Sequence, residues 1–409
     1  MAKLESAGYE IVDNAADADI CVVNTCCVTN GADKKSRQAV RRAKGRGCIV
    51  VAVGCACQAN PTSFAEIGAD IVLGTANRGK LLEYLEGFCV GSSVVDNTDI
   101  SDIDSFETAE VFGKNPARTR VFLKIQDGCD NFCTFCIIPH VRGKARSRPL
   151  PDVMAQARRY AEMGHKEIVV AGICVASYGK DLHDCNLLHM LNLICKIDGI
   201  ERVRLSSVEP NVITPEFLAF AADQPKFCDH LHLSLQSGSD AVLAAMGRKY
   251  NTGQFNEAVT ALRRVMPDVS ITTDVIAGFP GETDAQHRQT LDFIENLNLA
   301  ALHVFPYSAR EGTAAAKMAG QLSAAVKNQR AKELIKLGNE LTTAHNAKFV
   351  GRTMSVLVEG RNAAGLYEGK TTNYITVYFN APDGLEGRIV GIKLDSVIDG
   401  GLLGVLQYN

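Results

Sequence analysis

The chain has 409 residues, of which 46% are apolar and 22% charged, so it has room for two or three ordinary globular domains. A net charge of −3 excludes a global basic field, and any nucleic-acid binding must rest on local patches. No apolar run approaches the roughly 20 residues of a spanning helix. The opening residues also lack the zones of a signal peptide, so a cytoplasmic protein without a membrane partner is expected. Fourteen cysteines are then unusual. In a reducing compartment, clustered cysteines read as metal ligands or catalytic thiols, whereas the scattered Cys89, Cys185, Cys195 and Cys228 read as small buried hydrophobes.

Residues 1–115 alternate strand and helix signals. The β-branched runs 19–24 (DICVVN) and 48–53 (CIVVAV) each lead into a helical pattern, as in an open α/β domain with buried parallel strands. An acidic Asp/Ser-rich stretch from Val95 to Glu110 reads as a linker or surface loop. Residues 116–345 repeat one unit. Strand-like runs at 121–126, 167–173, 202–207, 230–235, 270–277 and 302–305 are separated by helix-length segments. Six β-then-α units predict a curved, partial (β/α)6 barrel. A final helix is expected over 321–348. Residues 346–409 lose the helical pattern, and short β-branched runs between Gly and Asn predict a small antiparallel β-barrel.

The chemistry concentrates in Cys129-Asp-Asn-Phe-Cys133-Thr-Phe-Cys136, just after the first strand of the repeating region. Three thiolates on one tight loop can hold three irons of a 4Fe–4S cubane and leave the fourth open. An open iron can chelate the amino and carboxylate groups of S-adenosylmethionine, and an electron then cleaves the sulfonium to an adenosyl radical. Structural zinc is the rival, but it prefers four protein ligands in paired spacing, and His140 is the only nearby imidazole. Phe135 either packs on the adenine of the bound S-adenosylmethionine or simply packs the loop.

Around this triplet the chain resembles the radical S-adenosylmethionine methylthiotransferase family. The matching stretches are NTCCVTN (24–30), VGCACQ (53–58), DGCDNFCTFCIIPHVRGKARSR (127–148), RLSSVEP (204–210), HLHLSLQSGSD (230–240), TTDVIAGFPGET (272–283) and HVFPYSAREGT (303–313). The C-terminal barrel resembles a TRAM domain, an RNA-binding module. The NTC-x-VT and FPYSxRxGT forms are most similar to the branch that converts N6-threonylcarbamoyladenosine, beside the tRNA anticodon, to its 2-methylthio derivative. Sister branches act on isopentenyladenosine in tRNA or on an aspartate of a ribosomal protein. A non-catalytic iron–sulfur RNA-binding protein is the reading of another class. The resemblance implies S-adenosylmethionine, two 4Fe–4S clusters, tRNA as partner and an electron donor such as flavodoxin or ferredoxin. It also implies that Cys26 and Cys55 ligate the second, auxiliary cluster. Its third ligand lies on an opening strand of the family, and this sequence starts inside the helix that follows. Either that strand precedes the first residue here, or Cys21, Cys27 or Cys57 substitutes.

The remaining candidates each have a plain alternative. Lys34, Lys35, Arg37, Arg41 and Arg42 crowd one helical stretch, either as a solvated face or as a phosphate-contacting patch. Arg142, Lys144, Arg146 and Arg148 follow the cysteine loop and are candidates for contact with RNA or with the carboxylate of S-adenosylmethionine. At later strand ends, Gly172, Ser207, Gln236 and Gly278 are candidates for binding S-adenosylmethionine, since barrel function collects at that face. The glycines are otherwise tight turns. Residues 349–409 carry five Lys/Arg and six Asp/Glu, so RNA contact there would fall to aromatics such as Tyr367, Tyr374 and Tyr378, if these do not simply pack the barrel. No catalytic acid, base or nucleophile stands out.

Overall fold

The computed structural model describes residues 2–12, 14, 16–107 and 119–407. The chain divides into two compact units. One comprises Met1–Gly113, Asp127–Arg148 and Ser308–Lys317; the other comprises Lys114–Gln126, Pro149–Tyr307 and Met318–Asn409. The expected domain boundary at 115/116 and the end of the acidic stretch lie outside the described residues.

The first unit is built on a parallel sheet in the order β1-β2-β3-β4, formed by β1 (Ile20–Thr25), β2 (Ile49–Gly54), β3 (Ile71–Leu73) and β4 (Val94–Asp96). Val50, Ala52 and Val72 are buried against Val40 and Phe64 from the helices Asn30–Lys44 and Pro61–Glu66. The Thr29 hydroxyl caps the longer helix by accepting from the Ala32 amide at 3.1 Å, a contact worth about 1 kcal/mol. The stretch read as a linker from Val95 begins inside β4. Asp96 belongs to the sheet, and its carboxylate accepts from Asn77 Nδ2 at 2.8 Å and from the Tyr84 hydroxyl. A three-residue strand is too short for an alternating pattern to show.

The second unit contains the expected six parallel strands: β5 (Arg120–Asp127), β7 (Glu167–Gly172), β8 (Arg202–Leu205), β9 (His230–His232), β10 (Ser270–Ala277) and β11 (Ala301–Pro306); the two-residue β6 (Arg146–Ser147) belongs to the first unit. β7 pairs with β5 and β8, and β10 pairs with β9 and β11. A parallel bridge between Val208 and Leu233 joins the two triplets into one open barrel. Its core is dominated by Leu, Ile, Val and Phe, with Leu123, Ile168, Phe217 and Phe255 fully buried. The helix expected at the end spans Ala324–Ala347.

The C-terminal strands β12 (Thr353–Arg361), β13 (Tyr367–Thr371), β14 (Thr376–Asn380), β15 (Ile389–Ile398) and β16 (Gly401–Leu406) close into a five-stranded barrel. All pairs are antiparallel except β14 with β16, which closes the barrel in parallel. Tyr367 is fully buried and stacks on Phe379 with ring centroids 5.6 Å apart, so it packs the barrel and is not open to RNA. Tyr374 stacks on His230 at 4.5 Å and lies 4.9 Å below the Arg204 guanidinium. It too serves packing.

One ionic group ties this barrel to the parallel strands. Glu167, Arg202 and Arg204 are all buried. Arg204 Nε donates to Glu167 Oε1 at 2.8 Å, and Arg202 Nη1 lies 3.7 Å from Glu167 Oε2. The remaining guanidinium donors reach carbonyls of the small barrel: Arg202 to Lys370 at 2.9 Å and Ser355 at 2.8 Å, Arg204 to Thr372 at 2.8 Å. Glu167→Ala should therefore cost about 3–5 kcal/mol, because two buried guanidiniums lose their counter-ion. Arg352→Ala, which opens the half-exposed Arg352–Asp268 pair, should cost about 0.2–1 kcal/mol. Urea denaturation of both variants checks the contrast.

His345 supplies a pH prediction. It is buried, it shares a 2.7 Å hydrogen bond with Ser270 Oγ, and its pKa is pushed down from 6.5 to about 4 by burial, helped by Lys348 and Arg263 and opposed by Asp268. The unfolded chain then binds a proton below pH 6.5 that the folded chain refuses until pH 4, so stability falls as pH falls through that window. His345→Gln should remove about 2 kcal/mol of the loss between pH 7 and pH 5, read from denaturation curves at the two values.

Candidate functional site

β5 ends at Asp127 and the chain turns at once. Gly128 has φ +73°, and a β-carbon there would sit 1.8 Å from the Lys144 carbonyl oxygen. Only glycine lets the two ends of the cysteine loop meet this closely. The Cys129 amide then donates to the Gly143 carbonyl at 3.0 Å, and the Ala145 amide to Asp130 Oδ1 at 3.2 Å. Inside the loop the Cys136 amide donates to the Cys133 carbonyl at 2.9 Å. Cys133 is buried, while Cys129 and Cys136 are half-buried. Phe132 adopts φ +47° and is 60% exposed, edge-on to His140. Phe135, the aromatic singled out from sequence, is half-buried.

The donor set suits a cubane. Three thiols on one closed loop offer one thiolate to each of three irons.

Two further parts of the same unit meet this loop. Thr75 Oγ1 donates to the Val141 carbonyl at 2.7 Å, in the short helix Ile138–Arg142 that follows the cysteines. The segment 308–317 is held by the Ala315 amide on the Thr134 carbonyl at 2.7 Å and by the Asn30 amide on Ser308 Oγ at 3.0 Å.

Cys26 and Cys55 lie at the C-terminal ends of β1 and β2, where open parallel sheets bind ligands. The Cys26 amide donates to Ser36 Oγ at 3.2 Å. Cys55 opens the helix Cys55–Ala59 and receives a 3.0 Å hydrogen bond from Arg142 Nε. The same guanidinium reaches Asp127 Oδ2 through Nη1 at 3.2 Å. Cys27 is buried and hydrogen-bonded to Cys55; this contact, helped by the charge of Arg142 and opposed by burial, lowers the Cys55 pKa, and the same contact together with burial raises that of Cys27. Cys57 is buried beside Thr25, and burial pushes its thiol up to about 12. Cys21 lies against Cys48 at the opposite end of the strands. Of the three thiols left open for a third ligand, Cys27 is thus next to Cys55 and Cys21 is a strand length away.

A cavity of about 440 Å³ is walled by Cys27 and Ala56, by Ile137 and His140, and by Arg310 and Gly312. Sequence reasoning read Arg310 only as part of the FPYSxRxGT form and not as a site residue. It also missed the tie from Asp127 through Arg142 to Cys55, because contacts between residues 87 positions apart leave no local pattern.

The basic candidates separate by exposure. Lys34, Lys35, Arg41, Arg42 and Lys144 are exposed. Arg37 pairs with Asp33 at 3.2 Å and donates to Ser63 Oγ at 2.9 Å. Arg142 is engaged as described, and Arg146 and Arg148 are buried. Arg146 donates to the carbonyls of Lys144 and Arg142 at 3.1 and 3.0 Å.

In the other unit, Gly172 is the last residue of β7, and Ser207, Gln236 and Gly278 follow the C-terminal ends of barrel strands. Ser207 is exposed. Gln236 has φ +71°, and its amide donates to the Asp274 carbonyl at 2.9 Å. A β-carbon on Gly172 would stand 3.1 Å from the Gln126 side chain. Gly278, at φ +76°, faces Lys327, and its amide donates to Glu282 Oε2 at 2.9 Å.

Comparison with known proteins adds three family matches: the Radical SAM superfamily over residues 123–294, the Uncharacterized protein family UPF0004 over 1–74, and the TRAM domain over 347–406. The threonylcarbamoyladenosine tRNA methylthiotransferase MtaB of Bacillus subtilis is 39% identical over 402 residues, covering 95% of this chain and 88% of that protein. MtaB of Aquifex aeolicus is 36% identical over 382 residues, covering 92% and 91%. The tRNA-2-methylthio-N(6)-dimethylallyladenosine synthase of Pseudothermotoga lettingae is 33% identical over 412 residues, covering 99% and 94%. Among solved structures, the radical S-adenosylmethionine methyltransferase TsrM from Kitasatospora setae, with cobalamin and a [4Fe-4S] cluster bound, matches with TM-score 0.54 at 13% identity, over 71% of this chain and 62% of that one; this likeness is one of fold. With three domain matches in the expected order and relatives aligned along nearly their whole length, the chain belongs to the radical S-adenosylmethionine methylthiotransferases, on their MtaB-like branch.

Proposed function

We propose that this enzyme converts N6-threonylcarbamoyladenosine in tRNA to its 2-methylthio derivative. The observation that carries the reading is the 39% identity with MtaB of Bacillus subtilis along 95% of the chain. In this reading the modules 1–115, 116–345 and 346–409 divide the work: auxiliary cluster, radical generation and tRNA binding. Cys129, Cys133 and Cys136 hold the radical-generating cluster, and Cys26 and Cys55 are ligands of the auxiliary one. The chemistry a cubane supplies on the triplet is one-electron reduction of the sulfonium of S-adenosylmethionine. A radical route suits the target, because the C2–H of adenine is too weakly acidic for ordinary proton abstraction.

The protein's own residues orient and shield. Gly128 and the Cys129–Gly143 hydrogen bond hold the cysteine loop closed. Arg142 places a positive charge beside Cys55, which favours its thiolate. Gly172, Ser207, Gln236, Gly278 and Phe135 are the groups assigned to S-adenosylmethionine. For tRNA, the exposed Lys34, Lys35, Arg41, Arg42 and Lys144 supply phosphate contacts in addition to those of the TRAM domain, and binding should weaken steeply with salt. The target base has to leave its stack, which an anticodon loop permits at modest cost. A flavodoxin or ferredoxin supplies the electron.

Nucleoside mass spectrometry of tRNA from cells lacking this protein should show loss of the methylthio group on threonylcarbamoyladenosine and accumulation of the unsubstituted nucleoside. Loss from isopentenyladenosine instead would move the enzyme to the sister branch. Gly128→Ala tests the loop. The substitution drives a β-carbon into the Lys144 carbonyl, so iron content and deoxyadenosine formation after anaerobic reconstitution should fall severalfold. Gly164→Ala, at φ +84° with nothing within 4 Å, should cost about 1 kcal/mol of stability and leave both intact.

A further inference from the structure

We propose that the cavity walled by Cys27, Ile137, His140 and Arg310 receives the carboxylate-bearing arm on the N6 position of the substrate base, with Arg310 as the residue that selects for it. The inference rests on the substrate reading above and deepens it.

Arg310 is held in place by its surroundings. Its segment is pinned at Ser308 by the Asn30 amide and at Ala315 by the Thr134 carbonyl, and its own carbonyl accepts from Thr313 Oγ1 at 2.7 Å. The guanidinium donates through Nη1 to the neutral Asn30 Oδ1. Its Nε is buried and donates to no acceptor, and among the described residues Arg310 makes no ion pair. Of the two acids in the cavity wall, Asp33 is already engaged by Arg37 at 3.2 Å, and Glu311 is exposed to solvent. A fixed, uncompensated guanidinium with a buried free donor asks for an anion, and a carboxylate is its best geometric match. An apolar isopentenyl arm would leave that donor unsatisfied, the situation in which polar sites reject an analogue most strongly.

Position supports the same ligand. Ala56 and Cys27 adjoin Cys55 and Cys26, and Ile137 adjoins Cys136. In adenine, C2 and the 6-amino group flank the same ring nitrogen. A base with C2 presented for sulfur insertion therefore carries its N6 arm beside the reaction centre. A cavity of about 440 Å³ is within the usual size of small-ligand pockets.

The test is binding of the full-length protein to an anticodon stem-loop carrying threonylcarbamoyladenosine, set against the same stem-loop with unmodified adenosine and with isopentenyladenosine. The wild type should prefer the threonylcarbamoyl form by roughly tenfold or more, the loss expected when a charged hydrogen-bonding partner is missing. Arg310→Met should bring that preference close to one, and Arg310→Lys should restore part of it; circular dichroism confirms that both variants fold. If Arg310→Met is folded and keeps the wild-type preference, the assignment of Arg310 is overturned and the substrate reading stands. If the wild type instead shows no preference for the threonylcarbamoyl form and methylthiolates the isopentenyl one, the substrate reading fails and this inference fails with it.

Discussion

The site depends on a meeting of two backbone segments that leaves no room for a side chain. Gly128 and Lys144 approach so closely that a single β-carbon would force them apart. That contact turns residues 129–143 into a closed loop, with three thiols on one arm and the short helix 138–142 on the other. The closure also aims Asp127 and Arg142 at each other across the loop's base, and Arg142 onward to Cys55. Opening the loop would spread the cysteines and would also detach the guanidinium that sits beside the other thiol pair. One steric constraint thus serves both sulfur sites of this unit.

The second unit depends on a charge taken out of water. Glu167 is fully buried between Arg202 and Arg204, and their remaining donors are consumed by backbone carbonyls of the small barrel. Burying three charges is costly, and apolar packing of equal volume would often be as stable. What the arrangement adds is direction. A hydrophobic contact tolerates sliding, whereas guanidinium forks hold chosen carbonyls of β12 and β13 at hydrogen-bond distance. Tyr374, stacked on His230 and 4.9 Å from the Arg204 guanidinium, adds an aromatic stop to the same seam. For an RNA-binding module attached to a catalytic barrel, a fixed orientation is of more use than an extra increment of stability.

The distribution of arginine reflects two different demands. With a net charge of −3 the protein has no long-range pull on RNA. The exposed cations on helix 30–44 and Lys144 can meet phosphate, while Arg142, Arg146, Arg148, Arg202 and Arg204 are drawn inward to organise backbone and thiol. A basic cluster beside a cysteine loop therefore has two meanings, and exposure separates them.

Much of this was legible in the sequence because local physics wrote it there. The six parallel strands appear as β-branched runs ending in glycine or polar residues, and the cysteine triplet appears as spacing on a single loop. Membership of the family follows from motifs that survive as contiguous words. Other features leave no such trace. The strand Val94–Asp96 is three residues long and shows no periodicity. The parallel closure of β14 on β16 depends on how the barrel is threaded. Tyr367 and Tyr374 look like any exposed aromatics until their ring partners are in place. Whether Cys27 or Cys21 neighbours Cys55, and whether Arg142 faces RNA or a thiol, were decided by tertiary structure alone. The physical reason is the same in each case: these relations join residues far apart in the chain, and only a folded backbone sets the distances that give a thiol, a guanidinium or an aromatic ring its partner.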